Sequence, residues 1–235
     1  EGYNTMATIA ENYQTITKKV IAAAHRCDRN PDDITLIAVS KKKDVPTLLQ
    51  GIDAGARHLG ENYIQEAVQK IEIIGRDTVT WHFIGHLQSN KAKIAVQYFD
   101  YIHTVDSFKL ASVISRQAEK FGKTQNILVQ VNIGEEASKS GVHMHETVDL
   151  IGSIKDLAHI HLAGLMGMPP YFSDPEEARP YFRQMALLKD RIQDTFGSDV
   201  NCSHLSMGMS NDFGVAIEEG ASMVRVGTQI FGERL

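Results

Sequence analysis

Residues 34–44 read Ile34-Thr35-Leu36-Ile37-Ala38-Val39-Ser40-Lys41-Lys42-Lys43-Asp44. The run to Ser40 is apolar or β-branched in both phases of the alternation, as in a strand buried on both faces. A lysine triplet follows it, with no glycine. A doubly wound dinucleotide fold would place a G-x-G-x-x-G turn at this point, so the open-sheet alternative loses its main support.

Moving outward, the same rhythm recurs. Further strands are expected over Arg57–Gly60, Trp81–Gly85, Tyr101–Val105, Asn126–Ile133, Ile160–Met166, Ser203–Met207 and Met223–Gly227, which with Ile34–Ser40 makes eight. Helical periods lie between them. Ile64, Ala67, Val68 and Ile71 fall at i, i+3, i+4 and i+7, and Leu110, Val113, Ile114 and Phe121 follow similar spacing. A longer helix carries Ala178, Tyr181, Phe182, Met185, Ile192 and Phe196. Asp174 is its expected cap, Pro175 its first residue and Glu177 the partner in a capping box. Ahead of the first strand, Met6, Ile9, Tyr13, Ile16, Val20 and Ala23 mark one stripe of an N-terminal helix.

Eight strands alternating with helices over 235 residues give an α/β fold of the (β/α)8 or TIM barrel type. The last strand ends close to Leu235 and should lack a helix of its own, which leaves the extra N-terminal helix to cover the gap. No repeat or linker divides the chain. One domain over residues 6–235 is expected, with residues 1–5 a disordered or added remnant before a natural start at Met6.

Composition narrows the function classes. There are 24 Lys+Arg against 29 Asp+Glu, a formal net charge of −5, so the strongly basic face of an electrostatic nucleic-acid binder is not expected. No apolar run reaches the ~20 residues that span a bilayer, and the N-terminus lacks the pattern of a signal peptide. Cys27 and Cys202 form no CxxC pair and read as small buried fillers in a reducing cytoplasm. A monomer is expected, with a weak dimer as the alternative.

In a barrel of this kind the site is built at the C-terminal ends of the strands. Those positions hold Lys41, then Glu61-Asn62-Tyr63, then the stretch from His86 to Lys91. Thr104-Val105-Asp106, Asn132, Met166-Gly167-Met168, the stretch from Ser206 to Ser210, and Arg225-Val226-Gly227-Thr228 follow. Phosphate seats in barrels commonly form after strands seven and eight. Ser210 and Gly227 therefore have two readings, an N-cap with a turn glycine or an anion seat completed by the Thr228 hydroxyl. Arg225 shares a strand face with Met223 and Gly227 and should look into the barrel. There it needs a ligand or a buried carboxylate. Lys41, in phase with Thr35, Ile37 and Val39, has two readings: a rim lysine whose desolvation favours the free amine, or part of a plain solvated run with Lys42 and Lys43. An amine, an anion seat and a strand-borne arginine together suit pyridoxal 5′-phosphate, which needs a Schiff-base lysine, a phosphate cradle and a partner for its ring nitrogen.

The segments Ile37–Lys41, Gly60–Glu66, Trp81–Lys91, Gln130–Asn132, Ser138–Gly141, Leu205–Ser210 and Val224–Thr228 resemble the pyridoxal phosphate homeostasis protein family. The family is YggS-like, of the proline synthase co-transcribed type, and similar to the N-terminal barrel of alanine racemase. The likeness implies Lys41 as the covalent attachment point, Ser210, Gly227 and Thr228 at the phosphate, and Arg225 at the pyridine nitrogen. It places Asn62 close to the cofactor and Met207 and Gly208 on the same wall. It also implies a carrier that controls the level and supply of the cofactor without clear turnover, apoenzymes that use the cofactor being its recipients.

The residues add their own argument against catalysis. Racemases on this barrel take a second base from an additional domain, for which a chain ending at Leu235 should have no room. An arginine at the ring nitrogen also makes the ring a weaker electron sink. No catalytic residue is therefore assigned, and a weak amino-acid racemase is the alternative. Lys139 is a candidate second amine or a plain surface lysine. His143-x-His145 and His159-x-His161 stand away from the expected mouth and lack further ligands, so no metal site is assigned. Trp81 reads as packing, and the role of His86 is open.

Overall fold

The computed structural model describes residues 7–135 and 140–233. The expected remnant at residues 1–5, Met6, Ser138 and the candidate amine of Lys139 lie outside the described residues.

Among the described residues, eight parallel strands form the barrel. They are β1 (Thr35–Val39), β2 (His58–Glu61), β3 (Thr80–Phe83), β4 (Tyr101–Val105), β5 (Gln125–Asn132), β6 (Ile160–Gly167), β7 (His204–Ser206) and β8 (Met223–Val226). Each pairs with its neighbours in sequence, and β8 returns to β1 with Arg225 opposite Ile37, so the sheet closes. Every strand ends within one or two residues of its expected bounds. An additional two-residue strand, Val142–His143, pairs with the end of β5 and was not anticipated.

The helices are α1 (Ile9–Arg26), α2 (Val45–Asp53), α3 (Ile64–Ile74), α4 (Ala92–Tyr98), α5 (Phe108–Lys120), α6 (Thr147–Ile154), α7 (Arg179–Phe196), α8 (Phe213–Glu218) and α9 (Thr228–Phe231). Two local expectations need correction. The last strand does carry a helix, the single turn α9. The extra helix α1 still closes the ring, burying Ile16, Val20, Ala23 and Ala24 and packing against α2, α8 and α9. The capping box expected at Asp174 and Glu177 is not formed. Asp174 instead accepts from the Glu176 backbone N–H and starts a 3-10 turn, Pro175–Ala178, ahead of α7. A complete capping box stands at α1, where Thr8 accepts from the Glu11 N–H and the Glu11 carboxylate accepts from that of Thr8.

Apolar packing falls into two layers, as barrel geometry requires. The outer layer lies between strands and helices and holds Trp81, Phe83, Phe99 and Phe182. Trp81 is wholly buried there, which fits its reading as packing. The inner layer is small, formed by Ile37, Leu128, Ala163, Met166 and Met223. It is small because much of the barrel's interior is polar: His82, His103, Ser206 and Arg225 are all buried.

Candidate functional site

Above the C-terminal ends of the strands opens a cavity of about 690 Å³, whose polar wall includes Asn62, Thr104, Gln130, Asn132, Ser210 and Thr228. A smaller crevice adjoins it, lined by Val39, Lys41, Lys43, Gly227, Thr228 and Gly232, so Thr228 belongs to both. The structure thus brings together Lys41, Asn62, Ser210, Gly227 and Thr228 from the ends of four strands.

The three lysines after β1 have different surroundings. Lys43 Nζ donates to the Glu233 carbonyl at 2.6 Å. Lys42 adopts a left-handed backbone (φ 58°), its N–H donates to Glu66, and its ammonium lies 5.9 Å from the Tyr63 ring centre. Lys41 and Lys43 both line the crevice with Gly227 and Thr228, whereas Lys42 does not, and of the two it is Lys41 that directly follows Ser40. The backbone beneath it is pinned by a buried cluster on the helix-facing side of the rim. Lys70 Nζ donates to Glu61 Oε1 and to the Ser40 carbonyl, both at 2.8 Å, and Ser40 Oγ donates to Glu61 Oε1 at 2.6 Å. Burial pushes the Glu61 carboxyl above its ordinary range, and the Lys70 charge pulls it back. Glu61 Oε2 has no partner among the described residues.

Arg225 is only 4 % exposed. Its guanidinium donates to Ser206 Oγ at 2.6 Å and to the Gly167 carbonyl at 3.1 Å. The sequence left a structural carboxylate partner open, but none makes an ion pair with it among the described residues; Asp212 acts on it only from farther away. Burial lowers its pKa to about 10, which still leaves it charged at neutral pH.

Ser210 lies in the turn before α8. The N-cap is Asp212, whose Oδ1 accepts from the Met209 N–H at 2.6 Å, so Ser210 does not cap the helix. Gly227 lies against β1, where a Cβ would stand 3.2 Å from the Val39 carbonyl oxygen. Met207 and Gly208 depart from expectation. Met207 is buried in the outer layer, and Gly208 (φ 91°) gives α8 its close approach, since a Cβ there would fall 2.5 Å from that of Ala216. Neither lines the cavity. His86 does.

Sequence reading missed a run of buried hydrogen bonds through the barrel. His103 Nδ1 meets Ser206 Oγ, His82 Nδ1 meets His103 Nε2, and His58 Nδ1 meets His82 Nε2, each at 2.9 Å. A signal was present: one histidine in each of three consecutive strands, on the phase that faces inward. The pairs noticed instead lead elsewhere. The His143 and His145 rings stack at 5.7 Å, and His161 meets Asn126 Oδ1. No group of three or more His, Cys, Asp or Glu among the described residues could hold a metal ion.

Residues 6–235 match the alanine racemase N-terminal domain family. The pyridoxal phosphate homeostasis protein of Escherichia coli is 40% identical over 232 residues, covering 97% of this chain and 98% of that one. Among solved structures, PipY of Synechococcus elongatus PCC7942 with PLP bound is 33% identical, with a TM-score of 0.83 over 96% of this chain and 100% of that chain. Alanine racemase of Clostridium difficile shares the fold at 16% identity, with a TM-score of 0.72; the likeness covers 94% of this chain and 56% of the racemase.

Proposed function

The chain belongs to the pyridoxal phosphate homeostasis protein family, and from that premise we propose that it holds pyridoxal 5′-phosphate at the barrel mouth and controls its supply. Lys41 is the covalent attachment point, Ser210, Gly227 and Thr228 receive the phosphate, Arg225 serves the ring nitrogen, and Asn62 lies beside the ring. Met207 and Gly208 act from behind, by fixing the β7–α8 turn. The observation that carries this reading is Arg225: a buried guanidinium with no ion-pair carboxylate among the described residues, on the strand paired with the one that leads to Lys41. The residues fit the group. Asn62 Oδ1 is a buried acceptor on the cavity wall with no partner among the described residues.

When bound, pyridoxal phosphate supplies an electron-withdrawing ring to an attached amine. This chain's residues restrain that chemistry. Arg225 stays a donor at neutral pH and keeps the ring nitrogen from taking a proton. The walls offer amides and hydroxyls at Asn62, Thr104, Gln130 and Asn132, together with the His86 imidazole, the Tyr171 phenol and the Asp212 carboxyl. The weakened electron sink, rather than a lack of bases, favours a carrier over an amino-acid racemase, with apoenzymes as recipients. No helix among the described residues is long and apolar enough to cross a membrane, and a cytoplasmic monomer completes the reading.

The test is borohydride reduction of protein loaded with pyridoxal 5′-phosphate, followed by intact mass and peptide mapping. One phosphopyridoxyl group on Lys41 is expected, none after Lys41→Ala, and no interconversion of D- and L-alanine. An adduct on another lysine would overturn the site, and rapid interconversion would overturn the carrier.

A further inference from the structure

Arginine carries only donors, and that constraint fixes everything below it. Arg225 donates to Ser206 Oγ, so the Ser206 hydroxyl proton is free to go to His103 Nδ1. His103 then carries its proton on Nε2 and donates to His82 Nδ1. His82 in turn carries its proton on Nε2 and donates to His58 Nδ1. The chain ends at half-buried His58, at the start of β2 and the far end of the barrel from the mouth. Ser206, His103 and His82 each accept from the Arg225 side and donate away from it, and His58 accepts at the end of the run. Their dipoles thus turn negative ends toward the guanidinium, taking the part a carboxylate would otherwise play.

The polarity needs neutral rings. A proton added at His103 Nδ1 would displace the Ser206 donor and set two cations near each other. The surroundings keep the rings uncharged. Burial lowers the pKa values of His82 and His103 well below the ordinary range, and it lowers those of His58 and His204 less. Tyr101 stacks on His82 with ring centres 4.8 Å apart and meets His103 and His204 edge-on. Asp100 acts on His58 from outside, and His161 acts on His204. Asp212 is the acid that acts on Arg225.

We propose that Ser206, His103, His82 and His58 form a relay of positioning residues that orients the Arg225 guanidinium and fixes which of its donors remain for the mouth. The role in cofactor retention rests on the seat proposed above; the polarity of the relay does not. The experiment therefore has two arms. In the first, two-bond proton–nitrogen spectra of the histidine rings are recorded on 15N-labelled protein without cofactor. His103 and His82 should show protonated Nε2 and bare Nδ1, unchanged from pH 5.5 to 8. A bare Nε2 or a charged ring on either residue overturns the polarity.

The second arm uses Ser206→Ala, which removes one atom, and Ser206→Thr, which keeps the hydroxyl. In the alanine variant the His103 signals should shift toward a mixture of tautomers. Retention of pyridoxal 5′-phosphate should weaken about tenfold, the equivalent of one hydrogen bond to a charged group, and the threonine variant should restore both. A folded alanine variant with parental ring signals and retention within twofold overturns positioning. His58→Gln, at the half-buried end, supplies a second variant should Ser206→Ala fail to fold; loss of the pure Nε2–H signature at His82 is expected, and its persistence overturns the relay. Should the parent take up no pyridoxal 5′-phosphate, the proposed seat fails, and the relay then stands or falls on the ring spectra.

Discussion

Replacing Lys70 by methionine keeps the volume of the side chain and removes its charge. The consequence is felt at Glu61, wholly buried, whose Oε1 then keeps only the Ser40 hydroxyl. Breaking a buried ion pair from one side costs about 3–5 kcal/mol. Glu61 can escape part of that by taking a proton. At pH 7, protonating a carboxyl whose ordinary value is 4.5 costs about 3.4 kcal/mol, so the loss is held to about 3 kcal/mol. The sign follows from the same carboxyl. A folded pKa raised above the unfolded one means stability that is present at low pH and declines as pH rises from the unfolded value toward the folded one. The deficit of Lys70→Met should therefore grow with pH, from about 1.5 kcal/mol at pH 5.5 to about 3 kcal/mol at pH 7. For a chain of this length about 3 kcal/mol corresponds to a fall of roughly 6–12 °C in melting temperature. Urea unfolding followed by Trp81 fluorescence across this pH range measures it. A deficit that stays level with pH, or lies below about 1 kcal/mol at pH 7, would refute the reasoning. Adding Glu61→Leu to Lys70→Met should recover most of the loss, since a hydrophobic replacement of a whole buried pair is often neutral.

Three further outcomes are expected. Gly85→Ala would put a Cβ 2.1 Å from the Asn62 carbonyl oxygen, so the loop carrying Asn62 must move. A loss of about 1–3 kcal/mol and weaker cofactor retention are expected, and a parental urea midpoint would count against the close packing. His82 and His103 are neutral when folded because burial lowers their pKa values, so the unfolded chain binds the extra protons below pH 6.5. Stability is present above that value and falls as pH drops, by about 1.4 kcal/mol per pH unit for each ring; urea midpoints from pH 7.5 to 5.5 would show the decline. Burial pushes the Cys202 thiol up to about 12, so iodoacetamide at pH 8 should leave it unmodified in the native protein, as read by peptide mass.

The barrel was legible because its signal is local. Each strand announces itself by a short apolar run, and each helix by its own period, so eight strands emerged close to their true bounds. The errors arose where a choice depended on neighbours distant in sequence. Asp174 had the right residues for a capping box, but the chain takes a 3-10 turn first, which moves the accepted N–H from Glu177 to Glu176. Ser210 yielded the cap to Asp212, two residues on, because the β7–α8 turn is longer than the pattern suggested. Gly208, which the family likeness placed on the cofactor wall with Met207, is occupied with α8 packing. The histidine relay was hidden for the same reason. His58, His82 and His103 sit on separate strands, and only the stagger of β2, β3 and β4 brings their rings into line.

The pairing of β1 with β8 sets a condition on when the seat can exist. Lys41 follows the first strand and Arg225 belongs to the last, and Ile37 faces Arg225 only once the ring is shut. A chain still emerging from the ribosome owns the amine long before it owns the guanidinium or Thr228. On the seat proposed above, capture of the vitamin would mark a finished fold, and partly made copies would not divert the cell's reserve.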